Sequence, residues 1–162
     1  MRHENLFQLG MDLETSTAQT EEYTVTDSIS DLVTTELENR KDHFVVKDGV
    51  RCAGSHLIID LYDAKRLDDI AHIEEAMRLC VIEAGATLLH MHLHRFSPEG
   101  VSGVAVLAES HISVHTWPEA GYAAFDVFMC GDAQPEVCVD ILRRAFSAER
   151  VAVHLELRGR GV

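Results

Sequence analysis

Four strand-like runs in close succession limit what this chain can fold into. "TLLHMHLHRF", "VSGVAVLA", "SHISVHTW" and "YAAFDVFMC" fill most of residues 87–130, and no join between them exceeds four residues. A parallel pair needs a crossover of a dozen or more residues, so these runs pair antiparallel with their neighbours. "SHLIIDLY" and "RVAVHLELR" read as further strands before and after the group. "LDDIAHIEEAMRLCVIEAG" has Ile70, Ile73, Met77, Cys80 and Ala84 recurring at three and four residues, with Gly85 at the C-cap of a helix. "PEVCVDILRRAF" opens on Pro135 and puts Cys138, Ile141, Leu142, Ala145 and Phe146 on one side of a second helix. The expected fold class is α+β, a two-layer sandwich of a mainly antiparallel sheet with two helices on one face.

This core occupies residues 51–162. Residues 1–50 are expected to form an acidic N-terminal extension, with 11 acids against 4 bases. Within it, residues 1–26 are polar and lack periodicity, and are read as disordered. Residues 27–40 place Ile29, Leu32, Val33 and Leu37 on one helical face, and "HFVV" closed by "KDG" reads as a short strand and turn. A net charge of −13 argues against a nucleic-acid partner or an anionic membrane. No run approaches the roughly 20 apolar residues that span a bilayer. A cytoplasmic location follows from the lack of an export signal, with Cys52, Cys80, Cys130 and Cys138 as free thiols.

The segment "LAESHISVHTWPE", residues 107–119, is too polar for a strand that merely fills a core. Three chemistries compete for it and its surroundings. His90, His92 and His94 of "HMHLH" share one strand face and suit zinc if another ligand closes the tetrahedron. No carboxylate pair or second histidine motif supplies one, so they are read as a polar sheet face or a subunit contact, with no metal. Ser110 or Cys130 as a nucleophile with His115 as base is awkward, because Ser110 faces away from His111, Ser113 and His115 on a regular strand. The third chemistry is attack by the Ser110 hydroxyl on the carbonyl before it. That N→O acyl shift needs a strained or polarised peptide bond, a hydroxyl to steady the oxyanion and a base. Ser102, Ser113 and His115 lie close in sequence or on adjacent strands.

"HRFSPEGVSGVAVLAESHISVHTWPEAGYAAFDVFMCG", residues 94–131, closely resembles the central segment of the prokaryotic S-adenosylmethionine decarboxylase proenzymes. The likeness extends more loosely from "GSHLIIDLYDA" to "RGR". It implies self-cleavage between Glu109 and Ser110 into chains 1–109 and 110–162, the second capped by a pyruvoyl group made from Ser110. By the same resemblance His115 serves the elimination step, Ser102 supports processing, and Cys130 returns a proton to the substrate carbon. Phe96 and Trp117 line the pocket, and Glu119 accepts the ribose hydroxyls. The pyruvoyl carbonyl condenses with the substrate amine and takes up the electrons released with carbon dioxide.

The resemblance makes S-adenosylmethionine the expected substrate, with decarboxylated product destined for spermidine, and a homodimer of cleaved protomers the expected assembly. Two alternatives stay open on the sequence. The same scaffold retuned at its distal pocket decarboxylates arginine or ornithine, and an uncleaved, inactive copy serves as a regulatory partner. Retention of Glu109, Ser110, His115 and Cys130 together weighs against the second.

Overall fold

Period-two alternation becomes six strands of a single antiparallel sheet in the computed structural model, which describes residues 44–47 and 49–162. The stretch read as disordered and the helix expected over 27–40 lie outside the described residues. A small hairpin comes first, β1 (Val45–Lys47) with β2 (Val50–Cys52). The main strands are β3 (Gly54–Tyr62), β4 (Leu88–Arg95), β5 (Val101–Leu107), β6 (Ser110–Trp117), β7 (Tyr122–Met129) and β8 (Arg150–Arg158). Their order across the sheet is β4-β5-β6-β7-β3-β8, with every neighbouring pair antiparallel. The first hairpin straddles the expected boundary at residue 51. Ala53 N–H donates to Arg158 O (2.8 Å) and Gly161 N–H to Arg51 O (2.9 Å), which ties it to the end of the chain.

Two helices cover one face, α1 (Ile70–Glu83) and α2 (Val137–Ala145). The Asp69 side chain caps α1 by accepting from His72 N–H at 3.1 Å. Gly85 follows the helix end at φ 71°, where the sequence pattern predicts a C-cap. Leu57, Ile59, Ile112, Val114, Phe125 and Val127 point from the sheet to Ile73, Met77, Cys80, Cys138, Leu142 and Phe146 of the helical layer. Each such side chain contributes about 1.5–3 kcal/mol by leaving water. Gly103 lies in this layer because a Cβ there would stand 2.1 Å from Leu93 Cδ2 and 2.6 Å from His92 O. The two-layer α+β architecture read from the sequence is the one observed.

Among the described residues the other face carries no helix, and its cross-strand rows mix polar with apolar residues. One row runs His94, Ser102, His115, Ala124, Asp60, Ala152. Another runs His90, Val106, His111, Phe128, His56, Glu156. The residues singled out as chemical stand on or beside this face. Among the described residues, no helix is long and apolar enough to cross a membrane.

Candidate active site

The turn from β5 to β6 is built against local preference. Leu107 pairs with Ser110, leaving Ala108 and Glu109 as a two-residue join. Such joins favour residues that accept positive φ, usually Gly, Asn or Asp. Neither Ala108 nor Glu109 takes a positive φ; Ser110 does instead, at 152°. That region is populated almost solely by glycine and costs a serine on the order of 1–3 kcal/mol. The twist also changes where the side chain goes. Regular alternation would point Ser110 away from His111, yet Ser110 Oγ lies 3.4 Å from His111 Nδ1.

Glu109 is held at both ends. Its carbonyl, the one joined to Ser110, accepts from the Cys130 backbone N–H at 3.1 Å and from the Cys130 thiol at 2.9 Å. Its carboxylate accepts from Thr87 N–H at 2.8 Å and Thr87 Oγ1 at 3.2 Å, while Ala108 N–H donates to Thr87 O at 3.0 Å. Burial pushes the Cys130 thiol up, its backbone hydrogen bond offsets this only in part, and the Glu109 carboxylate adds to the rise. The sulfur therefore keeps its proton near neutral pH and acts as a donor. Two donors on one carbonyl polarise it and are placed to hold negative charge on its oxygen.

A second group sits at the opposite end of β6. Ser102 and His115 are direct cross-strand partners, with Oγ and Nδ1 2.7 Å apart. His115 is five residues from Ser110 on the same strand, about 17 Å at the usual rise. Phe96 and Trp117 each lie two residues beyond that row and remain 48% and 43% exposed. Asp68 fixes the Phe96 turn by pairing with Arg95 and accepting from Gly100 N–H at 2.9 Å. The Arg95 hydrogen bond, then that of Gly100, holds the Asp68 carboxyl below the usual range. Gly100 has φ 106°, and a Cβ there would meet Thr116 O at 3.1 Å. Trp117 rests against Tyr122 (ring centroids 5.2 Å), whose hydroxyl donates to Asp60 at 2.6 Å. Glu119 is exposed on the short turn Pro118–Ala120 that follows.

Glu109, Ser110 and Cys130 are thus together, and Ser102, His115 and Trp117 are together, but the two groups are separate within one chain. Ser113, expected near the reacting bond, instead donates to Asp126 Oδ2 at 3.2 Å. His90, His92 and His94 are exposed on β4, at the sheet edge, and His94 meets the Phe96 ring edge-on at 4.8 Å. Among the described residues, no group of three or more His, Cys, Asp or Glu is arranged to hold a metal ion. Sequence reasoning gave no role to Thr87, His111 or the Tyr122–Asp60 pair. The usable signal was the Ala108–Glu109 join itself, a two-residue turn without a residue suited to positive φ.

Comparison with known proteins places the chain. Residues 55–159 match the family described as S-adenosylmethionine decarboxylase. The S-adenosylmethionine decarboxylase proenzyme of Parasynechococcus marenigrum is 52% identical over 103 residues, covering 62% of this chain and 80% of that protein. Its counterpart in Thermosipho melanesiensis is 44% identical over 114 residues, covering 68% of this chain and 88% of that protein. The crystal structure of the adenosylmethionine decarboxylase from Aquifex aeolicus VF5 matches with a TM-score of 0.63 and 35% identity, covering 67% of this chain and 92% of that one. The fold is that of a two-layer α+β decarboxylase. The chain belongs to the S-adenosylmethionine decarboxylase family, as the motif over 94–131 had implied.

Proposed function

We propose that this chain is made as a proenzyme, breaks its own Glu109–Ser110 bond, and then decarboxylates S-adenosylmethionine in the cytoplasm. The observation that carries the reading is the Glu109 carbonyl, which accepts from both donors of Cys130 while the next residue stands at φ 152°. Ser110 Oγ attacks the carbonyl carbon, and charge gathers on the oxygen that Cys130 already faces. The C–N bond breaks to leave an ester and a free amine at residue 110. Removal of the Ser110 Cα proton expels Glu109 as a carboxylate, and hydrolysis of the resulting dehydroalanine releases ammonia and leaves pyruvoyl. The products are chains 1–109 and 110–162. When formed, that group supplies a conjugated carbonyl able to accept the electron pair freed with carbon dioxide. The Cys130 thiol, kept protonated by burial, is suited to return a proton to the substrate carbon. The exposed faces of Phe96 and Trp117 suit a sulfonium ion, and Glu119 suits the ribose hydroxyls.

The partner in this reading is a second copy of the chain. About 17 Å of strand separates His115 from Ser110, too far for one to serve the other in the same chain. The face that carries no helix among the described residues, with Ile58, Val106, Phe96 and Trp117 exposed, offers a surface for a copy turned by a twofold axis. Such a homodimer sets each Ser102–His115 pair over the other copy's Ser110 and Cys130.

Intact-mass spectrometry and carbon dioxide release from labelled S-adenosylmethionine test both parts. Ser110→Ala and His115→Ala chains, each inactive alone, should regain activity when co-expressed, because a mixed dimer rebuilds one complete site. Mixed dimers without activity would show that the site is not shared. A wild-type chain that stays whole and releases no carbon dioxide would remove the reading altogether.

A further inference from the structure

Attack by Ser110 requires a base for its hydroxyl proton, and the Ser102–His115 pair of the same chain is about 17 Å down the strand, so that pair reaches Ser110 only from a second copy. One imidazole is already at hand. Ser110 Oγ lies 3.4 Å from His111 Nδ1, a contact that regular alternation would forbid and the φ of 152° permits. Longer hydrogen bonds of this kind are common before a reacting complex tightens.

The His111 ring is braced for the role. Its cross-strand partners are Val106 on β5 and Phe128 on β7. The Phe128 ring meets it at 6.0 Å and 66°, and the His56 ring at 6.4 Å and 69°. His56 is itself fixed, because Arg158 Nη1 donates to its Nδ1 at 3.2 Å and its Nε2 faces Asp126 Oδ1 at 3.3 Å. The titratable and charged groups around His111 are His56 on β3, Asp126 on β7 and Arg158 on β8, the last held to His56 and lying over the Phe128 ring. Burial, then His56, holds the His111 imidazole below the ordinary histidine range, with Asp126 pulling the other way. Near neutral pH the ring keeps a lone pair for a proton.

We propose that His111 Nδ1 takes the Ser110 hydroxyl proton as Oγ bonds to the Glu109 carbonyl carbon, and returns it to the Ser110 nitrogen as the C–N bond breaks. The balance is that of an isomerisation: one C–O bond forms, one C–N bond breaks, and one proton moves from oxygen to nitrogen. No further reactant is consumed. Two imidazoles then divide the maturation, His111 serving the acyl shift and His115 the later elimination. The inference rests on the self-cleavage reading above.

Hydroxylamine separates the steps, because it cleaves an ester at residue 109 and leaves the amide alone. His115→Ala should accumulate hydroxylamine-sensitive chain. His111→Asn should stay whole and insensitive, with the shift slowed about 10²–10⁴-fold. Imidazole added to His111→Gly should restore part of the rate. His111→Asn that processes within threefold of wild type, or accumulates the ester, overturns the proposal. Should His111→Asn misfold by circular dichroism, the acid limb of processing decides the matter in the His56→Gln chain. Removing His56 should move that limb to higher pH than in wild type, and an unmoved limb overturns the role of His111. A wild-type chain that never yields a product starting at residue 110 instead fells the self-cleavage reading, a result distinct from either.

Discussion

Glu109, held by Thr87 and Cys130, leads into β6 through the strained backbone of Ser110, whereas Trp117 ends the same strand 43% exposed. At the first end, hydrogen bonds fix both sides of Glu109, and the strained backbone is that of Ser110, next to the bond proposed to break. At the second, aromatic faces and a lone carboxylate stand on an open sheet. The contrast separates two jobs. Bond breaking needs donors and strain positioned in advance, and the chain supplies these by itself. Binding needs a concave, water-poor pocket, which a flat sheet face gains only when another surface covers it.

Cys130 belongs to the first end by position and to both jobs by proposed role, so its replacement tests the contrast most severely. Cys130→Ala removes the thiol and keeps the backbone N–H on the Glu109 carbonyl. A thiol is a weak donor, so processing should slow by about tenfold at most. Turnover on S-adenosylmethionine should fall about 10²–10⁴-fold for want of the proton donor. Separate assays of chain cleavage and carbon dioxide release measure the two. Unchanged turnover would take the thiol out of the decarboxylation.

A smaller, crossed pair of effects should follow from changing one end at a time. Trp117→Leu loses a cation–π contact worth about 0.5–2 kcal/mol, so KM should rise roughly 2- to 30-fold with processing unchanged. Thr87→Ala frees the Glu109 carboxylate, and the expected result is processing slowed several-fold with KM unchanged. If Trp117→Leu delays cleavage as much as it raises KM, the two ends are not functionally distinct.

Much of this molecule was legible in its sequence because short joins and period-two alternation admit few topologies. The strands from Gly54 to Arg158, the α1 cap at Gly85 and the buried side of α2 all follow from local pattern. The geometry of the β5–β6 hairpin escaped for the same reason. Alternation assumes a regular strand, and it set Ser110 opposite His111 when one unusual φ brings them together. The division into two groups was hidden by a different limit. Motif spacing ties Ser102, Ser110, His115 and Cys130 to one chemistry, but strand rise decides that Ser110 and His115 cannot meet within one chain. Thr87 drew no attention because its contacts with Glu109 cross 22 residues of sequence and an edge strand.

The smallest expected effect concerns how firmly the open end is built beneath its exposed rings. Tyr122 supports Trp117, and its hydrogen bond to Asp60, with burial second, pushes its phenol up to about 12. A raised pKa favours the neutral phenol in the folded state. That contribution is therefore present below the ordinary value of about 10 and is lost as pH rises through about 12. At pH 11 a phenol with a pKa near 12 is only about a tenth ionised, against about nine-tenths for an ordinary one. Wild type and Tyr122→Phe should accordingly show nearly the same tyrosinate absorbance at that pH, while Asp60→Asn should gain close to one tyrosinate. A full tyrosinate already present in wild type and lost in Tyr122→Phe would mean that Asp60 does not hold the ring. Trp117 would then stand on a loose support, and the open end would depend on its covering partner for order as well as for enclosure.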